Sequence, residues 1–342
     1  MKKRDIYLVS PSTRAFLREA LKLRGGFAQF SEARKYSLYD FLHGYVYGRW
    51  TYLYIGIGMG EHPWAKKYGP LVQSIGKAWA GIKARLGIPE RQPGGDHPTG
   101  TTADTYHGKV VPLEAARQLV MVNEPVTLPI LEHIIPYPIA RDIVLHNPDH
   151  IAVLECPCRS AREHPCLPLD VCLIIGEPFA SFVTEHHPEK ARRITPQEAV
   201  EILQAEDARG HVHHAFFKDA MLNRFYAICN CCACCCGAMQ AQRHGTPMLI
   251  SSGYVARVDE VVCQGCGECE SVCQFEANSV PAETAQVDEA ACMGCGVCVE
   301  HCPNEVLSLV RDASKGEPLE ISVLMANQNL FTPESAECAE NI

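Results

Sequence analysis

A chain of 342 residues with 47% apolar and 21% charged residues is long enough for two or three domains with cores of their own, which excludes disorder as its overall state. A net charge of -9 argues against nucleic acid as the main partner, and no uninterrupted run of about 18 apolar residues is present to make a membrane-spanning helix. Nineteen cysteines are several-fold more than such a chain normally carries. Their odd number, the chain length and the short apolar run Ile6 to Val9 after the basic Met1 to Arg4 argue against a secreted disulfide scaffold. The thiols therefore read as reduced metal ligands in a cytoplasmic protein.

Charge is divided between the ends. Residues 1 to 35 carry nine Lys or Arg against three acids, whereas residues 259 to 342 carry sixteen acids against two basic residues. The two ends thus suit different partners. From Ser12 to Gly25 the apolar positions Phe16, Leu17, Ala20 and Leu21 recur at helical spacing and predict a basic helix. Six of the twelve tyrosines follow between Tyr36 and Tyr54, with Phe41 and Trp50 among them. Residues 1 to 60 then read either as a docking surface for a partner or the periphery of a membrane, or as an aromatic core under a strand at Tyr52 to Ile57. Gly56, Gly58 and Gly60 do not make a dinucleotide loop, because Glu61 stands where the third glycine of that motif is needed.

Leu71, Ile75, Trp79, Ile82 and Leu86 predict an amphipathic helix, and residues 91 to 108 an exposed loop. Pro112 opens a short helix through Val122, and Ile151 to Glu155 reads as a strand leading to the first cysteines. Thr195, Pro196 and Glu198 are a helix start, with Gly210 as its stop. His211, His213 and His214 just beyond it suit either a metal or simply a helix C-terminus. Residues 313 to 342 read as a loosely ordered tail, with Cys338 outside any ligand pattern.

The strongest signal is a duplication. Val258-Asp259-Glu260 leads to Cys263, and Val287-Asp288-Glu289, 29 positions later, leads to Cys292. Each half carries C-x2-C-x2-C-x3-C: Cys263, Cys266, Cys269 and Cys273, then Cys292, Cys295, Cys298 and Cys302. Three thiolates on a tight loop hold three irons of a cube, and the fourth reaches the other cluster. One [4Fe-4S] cluster is thus expected on Cys263, Cys266, Cys269 and Cys302, and a second on Cys292, Cys295, Cys298 and Cys273. Gly265, Gly267, Gly294 and Gly296 let the loops close around a cluster and aim N-H groups at sulfur. Zinc is the rival ligand, but it needs four donors and not a duplicated set of eight.

Ten more cysteines lie upstream: Cys156, Cys158, Cys166 and Cys172, then six in the eight residues Cys229 to Cys236. Neighbouring side chains diverge, so the second run should supply alternate residues to one or two sites. The expected contributors to an additional centre are Cys156, Cys158, Cys166 and Cys172 with Cys229, Cys232 and Cys235. An iron-sulfur cluster, zinc, a redox dithiol and plain packing all remain open for them.

The duplicated motif resembles the dicluster bacterial ferredoxin module, which ends in Cys-Pro. Cys302-Pro303 keeps that ending and Cys273-Gln274 departs from it. Together with CPCR at 156 to 159 and CNCC-x-CCC at 229 to 236, residues 150 to 310 or so resemble ferredoxin-like iron-sulfur proteins of anaerobic bacteria. The resemblance implies electron transfer without naming a donor, and the acidic charge of the C-terminal region suits redox proteins with basic docking surfaces. The expected fold class is α+β, a duplicated βαβ-type dicluster ferredoxin fold (residues 251 to 312) appended to a mixed α/β region (residues 1 to 145) and a cysteine-rich domain (residues 146 to 250). An oxidoreductase subunit with its catalytic centre in the N-terminal part, or a protein using metal only for structure, are the alternatives. No nucleotide loop, nucleophile elbow or carboxylate pair marks a catalytic site.

Overall fold

The computed structural model describes residues 10–25, 37–71, 74, 102–128, 133–137 and 142–330. Its centre is one mixed sheet of eight strands. These are β1 (Tyr106–Val111), β2 (Val126–Leu128), β3 (Ile143–Glu155), β4 (Asp170–Glu177), β5 (Ala191–Ile194), β6 (Val212–Lys218), β7 (Arg224–Cys231) and β8 (Leu249–Ile250). The order is β2-β3-β4-β7-β6-β1-β8, with β5 on β3. All pairings are antiparallel except β1 with β8. Asn147, at φ 48°, and Pro148 interrupt β3, whose register with β4 shifts between His146 and Ile151. One edge of β3 can therefore take β2 before the break and β5 after it.

Every residue of β6 is buried, so both faces of the sheet centre are covered. The helices Leu113–Val120 and Pro196–Asp207 pack on each other and on the sheet. The second of these starts as its sequence dictates, with the Thr195 hydroxyl accepting the Glu198 N-H at 3.1 Å. A second group gathers Pro11–Gly25, Leu38–Arg49 and Phe179–His186 around Phe16, whose ring centroid lies 5.2 Å from Phe41 and 5.8 Å from Phe182.

Several expectations are corrected. The run Tyr52 to Ile57 is not a strand but lies in the helix Thr51–Gly58. Its informative period is four, since Tyr47, Thr51 and Ile55 all face one cavity. Residues 106 to 108 are not loop but open β1, a strand disguised by its buried His107 and Lys109. The supposed tail holds the helix Ile321–Leu330, anchored by the buried Leu319 and Ile321. The expected boundary at residue 145 falls inside β3, and strands from both sides of it share the sheet. Most of the helix expected over Leu71 to Leu86, and Cys338, lie outside the described residues; residues 63–71 are helical.

Of the clustered aromatics, Tyr47 is buried and Tyr45 and Tyr54 pack against the core, while Trp50 is 46% exposed. Leu38, Tyr39, Leu42 and Val46 of the same segment are exposed as well, so it is divided between core and surface. No helix among the described residues is long and apolar enough to cross a membrane.

Lys109 is fully buried, its Nζ donating to the carbonyls of Glu317 (2.8 Å) and Ile134 (3.1 Å). Burial, helped by Arg311, pushes its pKa down to about 7. Between there and its ordinary value of 10.5 the unfolded chain binds the proton and the folded chain does not, so this group makes stability rise with pH. Anaerobic urea titrations at pH 7 and 9 should therefore show Lys109→Met losing a positive slope of up to about 1.4 kcal/mol per pH unit. Parallel pH profiles for the two proteins would exclude this assignment.

Candidate metal centres

The eight cysteines of the duplication are placed by a repeated backbone. Cys263 N-H donates to Asp259 O at 3.1 Å and Cys292 N-H to Asp288 O at 2.9 Å. Asp259 N-H reaches Val306 O at 2.8 Å, and its counterpart Asp288 N-H reaches Ala277 O at 2.7 Å, so each half closes on the other. Each loop then passes through left-handed glycines, Gly265 and Gly267 in one and Gly294 and Gly296 in the other. A Cβ on Gly265 would stand 2.5 Å from Glu283 O, and one on Gly294 2.2 Å from Tyr254 O, so only glycine fits. The short helices Glu268–Val272 and Val297–Glu300 follow. Strand β9 (Tyr254–Val258) pairs with β12 (Leu307–Arg311), and β10 (Asn278–Ser279) with β11 (Gln286–Val287).

Two separate small cavities result. Cys263, Cys266, Cys269 and Cys302 line one, together with Gly265, Gly267 and Pro303. Cys273, Cys292, Cys295 and Cys298 line the other, together with Gly294 and Gly296. Main-chain N-H groups aim at sulfur in both: Ala285 at Cys263 (3.4 Å), Ala277 at Cys273 (3.2 Å) and Ala256 at Cys292 (3.5 Å). Four thiols around a closed space, with N-H donors behind them, fit the needs of a cubane cluster.

Gln274 has a local role of its own. Its Oε1 accepts the N-H of Ala233 at 2.8 Å, tying the turn after Cys273 to the upstream cysteine run. Gln274→Ala should leave iron content unchanged and lower stability by about 1 kcal/mol, read as a shifted urea midpoint. An unaltered midpoint would show the link to be idle.

The ten upstream cysteines do not meet at one point. Cys172 on β4 and Cys229 on β7 are direct cross-strand partners, and Cys231 follows Cys229 on the same face. Cys156 caps the short helix Pro157–Ser160, which carries Cys158, and Cys236 caps the helix Gly237–Arg243. These six thiols, with Cys232 and Cys235, line a cavity of about 70 Å³. Its other wall holds Tyr47, Tyr106 and Tyr226, with Tyr47 and Tyr226 hydroxyls 2.8 Å apart and Lys218 Nζ 4.9 Å from the Tyr47 and Tyr106 rings. The Cys158 thiol beside it and its own burial push the Cys156 pKa up to about 12, so metal entry here must release protons.

Cys232 and Cys235 also meet Cys166 and Cys234, and these four sulfurs all lie within 4.8 Å of one another. Burial alone would raise the Cys234 thiol, but its hydrogen bonding with Cys166, Cys232 and Cys235 outweighs it and lowers its pKa. Sequence reasoning missed Cys231, Cys234 and Cys236 as contributors. Strand alternation from Cys229 signals Cys231, and nothing in the sequence signals the other two.

The three histidines scatter. His211 Nδ1 lies 2.7 Å from Glu206, and His213 Nδ1 2.6 Å from Asn230. His214 is buried, which lowers its pKa to about 3. Among the described residues they gather no metal-ligand set.

The family model of the 4Fe-4S binding domain matches residues 285–308, a span containing Cys292, Cys295, Cys298 and Cys302. No curated protein matches the chain. The matched domain and the gathered thiols identify an iron-sulfur protein with at least one [4Fe-4S] site.

Proposed function

We propose that this chain carries single electrons through two [4Fe-4S] clusters and a third iron-sulfur centre in the cysteine-lined cavity. The observation that carries the reading is the 29-residue repeat, which returns in cysteine spacing, in left-handed glycines and in main-chain hydrogen bonds. It supports the duplicated βαβ-type dicluster arrangement for residues 251 to 312. Cys263, Cys266, Cys269 and Cys302 would hold one cluster, and Cys292, Cys295, Cys298 and Cys273 the other. Such clusters supply one-electron redox chemistry, with about -400 mV as an orientation value for low-potential ferredoxins. The chain's own part is to bury the sulfurs and to aim the N-H groups of Ala256, Ala277 and Ala285 at them, which tunes the potential. Cys156, Cys158, Cys172 and Cys229, with Cys231 and Cys236, would hold the third centre.

The acidic C-terminal region would steer redox partners with basic docking surfaces. One observation favours a second reading, an oxidoreductase subunit fed by the dicluster module: the cavity has tyrosine hydroxyls opposite its thiols, a wall that a carrier does not need. Iron and labile-sulfide analysis of the anaerobically purified chain, with paramagnetic resonance of the reduced form, tests the primary reading. About eight irons and eight sulfides from the module alone, reversibly reducible, are expected. Zinc without labile sulfide would refute it, and turnover of a small substrate at the cavity would move the assignment to the second reading.

A further inference from the structure

We propose that Cys166, Cys232, Cys234 and Cys235 hold one divalent cation, zinc or ferrous iron, in tetrahedral tetrathiolate coordination, separate from every iron-sulfur cluster. Cys234 Sγ lies 3.2 Å from Cys166 Sγ, 3.2 Å from Cys232 Sγ and 3.7 Å from Cys235 Sγ, and all four sulfurs fall within 4.8 Å of each other. Thiolates at about 2.3 Å from a tetrahedral zinc ion stand about 3.8 Å apart, which is the observed scale. A cubane places each thiolate on a different iron, so its own bulk holds the ligands wider. The same chain supplies the contrast: no three of the eight C-terminal cysteines come within 4.8 Å of one another, although they line common cavities.

The donors are built into the fold. Cys235 N-H and Cys236 N-H both donate to Cys232 O, at 3.3 and 3.0 Å, and close a turn that presents three of the four sulfurs together. The fourth, Cys166, arrives 68 residues away in sequence from the segment between Ala161 and β4. Gln240 Nε2 donates to Cys234 O at 2.9 Å and Arg162 to Cys235 O, which fixes the turn from outside. Arg162 is itself held in place by an ion pair with Glu61 and by Gln240 Oε1. Loading replaces four S-H bonds by four metal-sulfur bonds, so one divalent cation enters, four protons leave and no electron moves. The ion would clasp the Cys166 segment to the turn whose Cys232 and Cys235 line the cavity beside Cys231 and Cys236. The site itself is at the surface, since Cys234 is exposed and Cys166 half-buried.

The site is independent of the electron-transfer reading, and the test keeps the two apart. The full chain, purified anaerobically, is expected to contain one zinc, or one iron in excess of labile sulfide; the two analyses distinguish the ions. Cys234→Ser, at the exposed position, and Cys166→Ser should each lose that one ion with labile sulfide unchanged. Stripped wild-type protein refilled with cobalt(II) should show tetrathiolate charge-transfer absorption that neither variant gives. Native alkylation guards against a folding failure in the variants: in wild type, Cys234 should resist iodoacetamide until a chelator is added. Loss of sulfide together with iron in the variants would replace the single ion by a cluster. Equal iron and sulfide without zinc, or alkylation of Cys234 that no chelator affects, would overturn the proposal.

Discussion

Cys302→Ser is expected to remove the cluster assigned to Cys263, Cys266 and Cys269, and to leave the one assigned to Cys292, Cys295 and Cys298. The sequence-distant thiol belongs to that site because the two halves of the duplication close on each other, through Asp259 N-H to Val306 O and Asp288 N-H to Ala277 O. Cys302 and Cys273 are thereby exchanged between the cavities. Iron and labile sulfide from the module should fall by about half. The pairing is read from combinations. Adding Cys263→Ser to Cys302→Ser should cost no further iron, because both act on one cluster, whereas adding Cys292→Ser should remove the remainder. If Cys292→Ser is the silent addition, the ligands are not crossed.

What the sequence made legible is what local chemistry fixes. Thiolate spacing around a cluster is set by loop geometry, so both cysteine quartets and their glycines stood out, as did the helix capped by Thr195 and Glu198. The division of the ten upstream cysteines did not, because it depends on where β7 stops. Up to Cys231 the chain alternates faces, so Cys229 and Cys231 point one way; from Cys232 it turns, and Cys232, Cys234 and Cys235 gather although their spacing fits no strand or helix. β1 was hidden for a related reason. Its His107 and Lys109 are polar yet buried, His107 Nδ1 against the nearby Ala103 O and Lys109 on the carbonyls of Ile134 and Glu317, which sequence proximity does not reveal. Least visible was the partner of Arg159, 47 positions away.

Arg159→Met should be among the most destabilising single changes in the chain. Arg159 and Glu206 are each 1% exposed and joined at 2.6 Å. The guanidinium also donates to Pro168 O at 2.6 Å and Asn230 O at 3.0 Å, so it fastens the Cys156-Cys158 segment to the Cys229-Cys231 strand behind the cavity. Burial would raise the Glu206 pKa, but hydrogen bonds from His211 and Arg159 outweigh it and hold it below its ordinary 4.5. This contribution is present above pH 4.5 and is lost as pH falls through the lowered value. Removing Arg159 takes one partner from a buried carboxylate that keeps only Arg209 at 3.1 Å and His211 at 2.7 Å, a loss of about 3 kcal/mol, the lower end for broken buried pairs. With one partner gone the Glu206 pKa should rise, so the gap between variant and wild type should narrow as the pH falls toward and below 4.5. Arg159→Met with Glu206→Leu should be more stable than Arg159→Met alone, since no buried carboxylate is left short of a partner. Urea midpoints measured anaerobically on the three proteins decide it. A single variant within about 1 kcal/mol of wild type, or a double variant no better than the single, would mean that the pair does not hold the cavity wall in place.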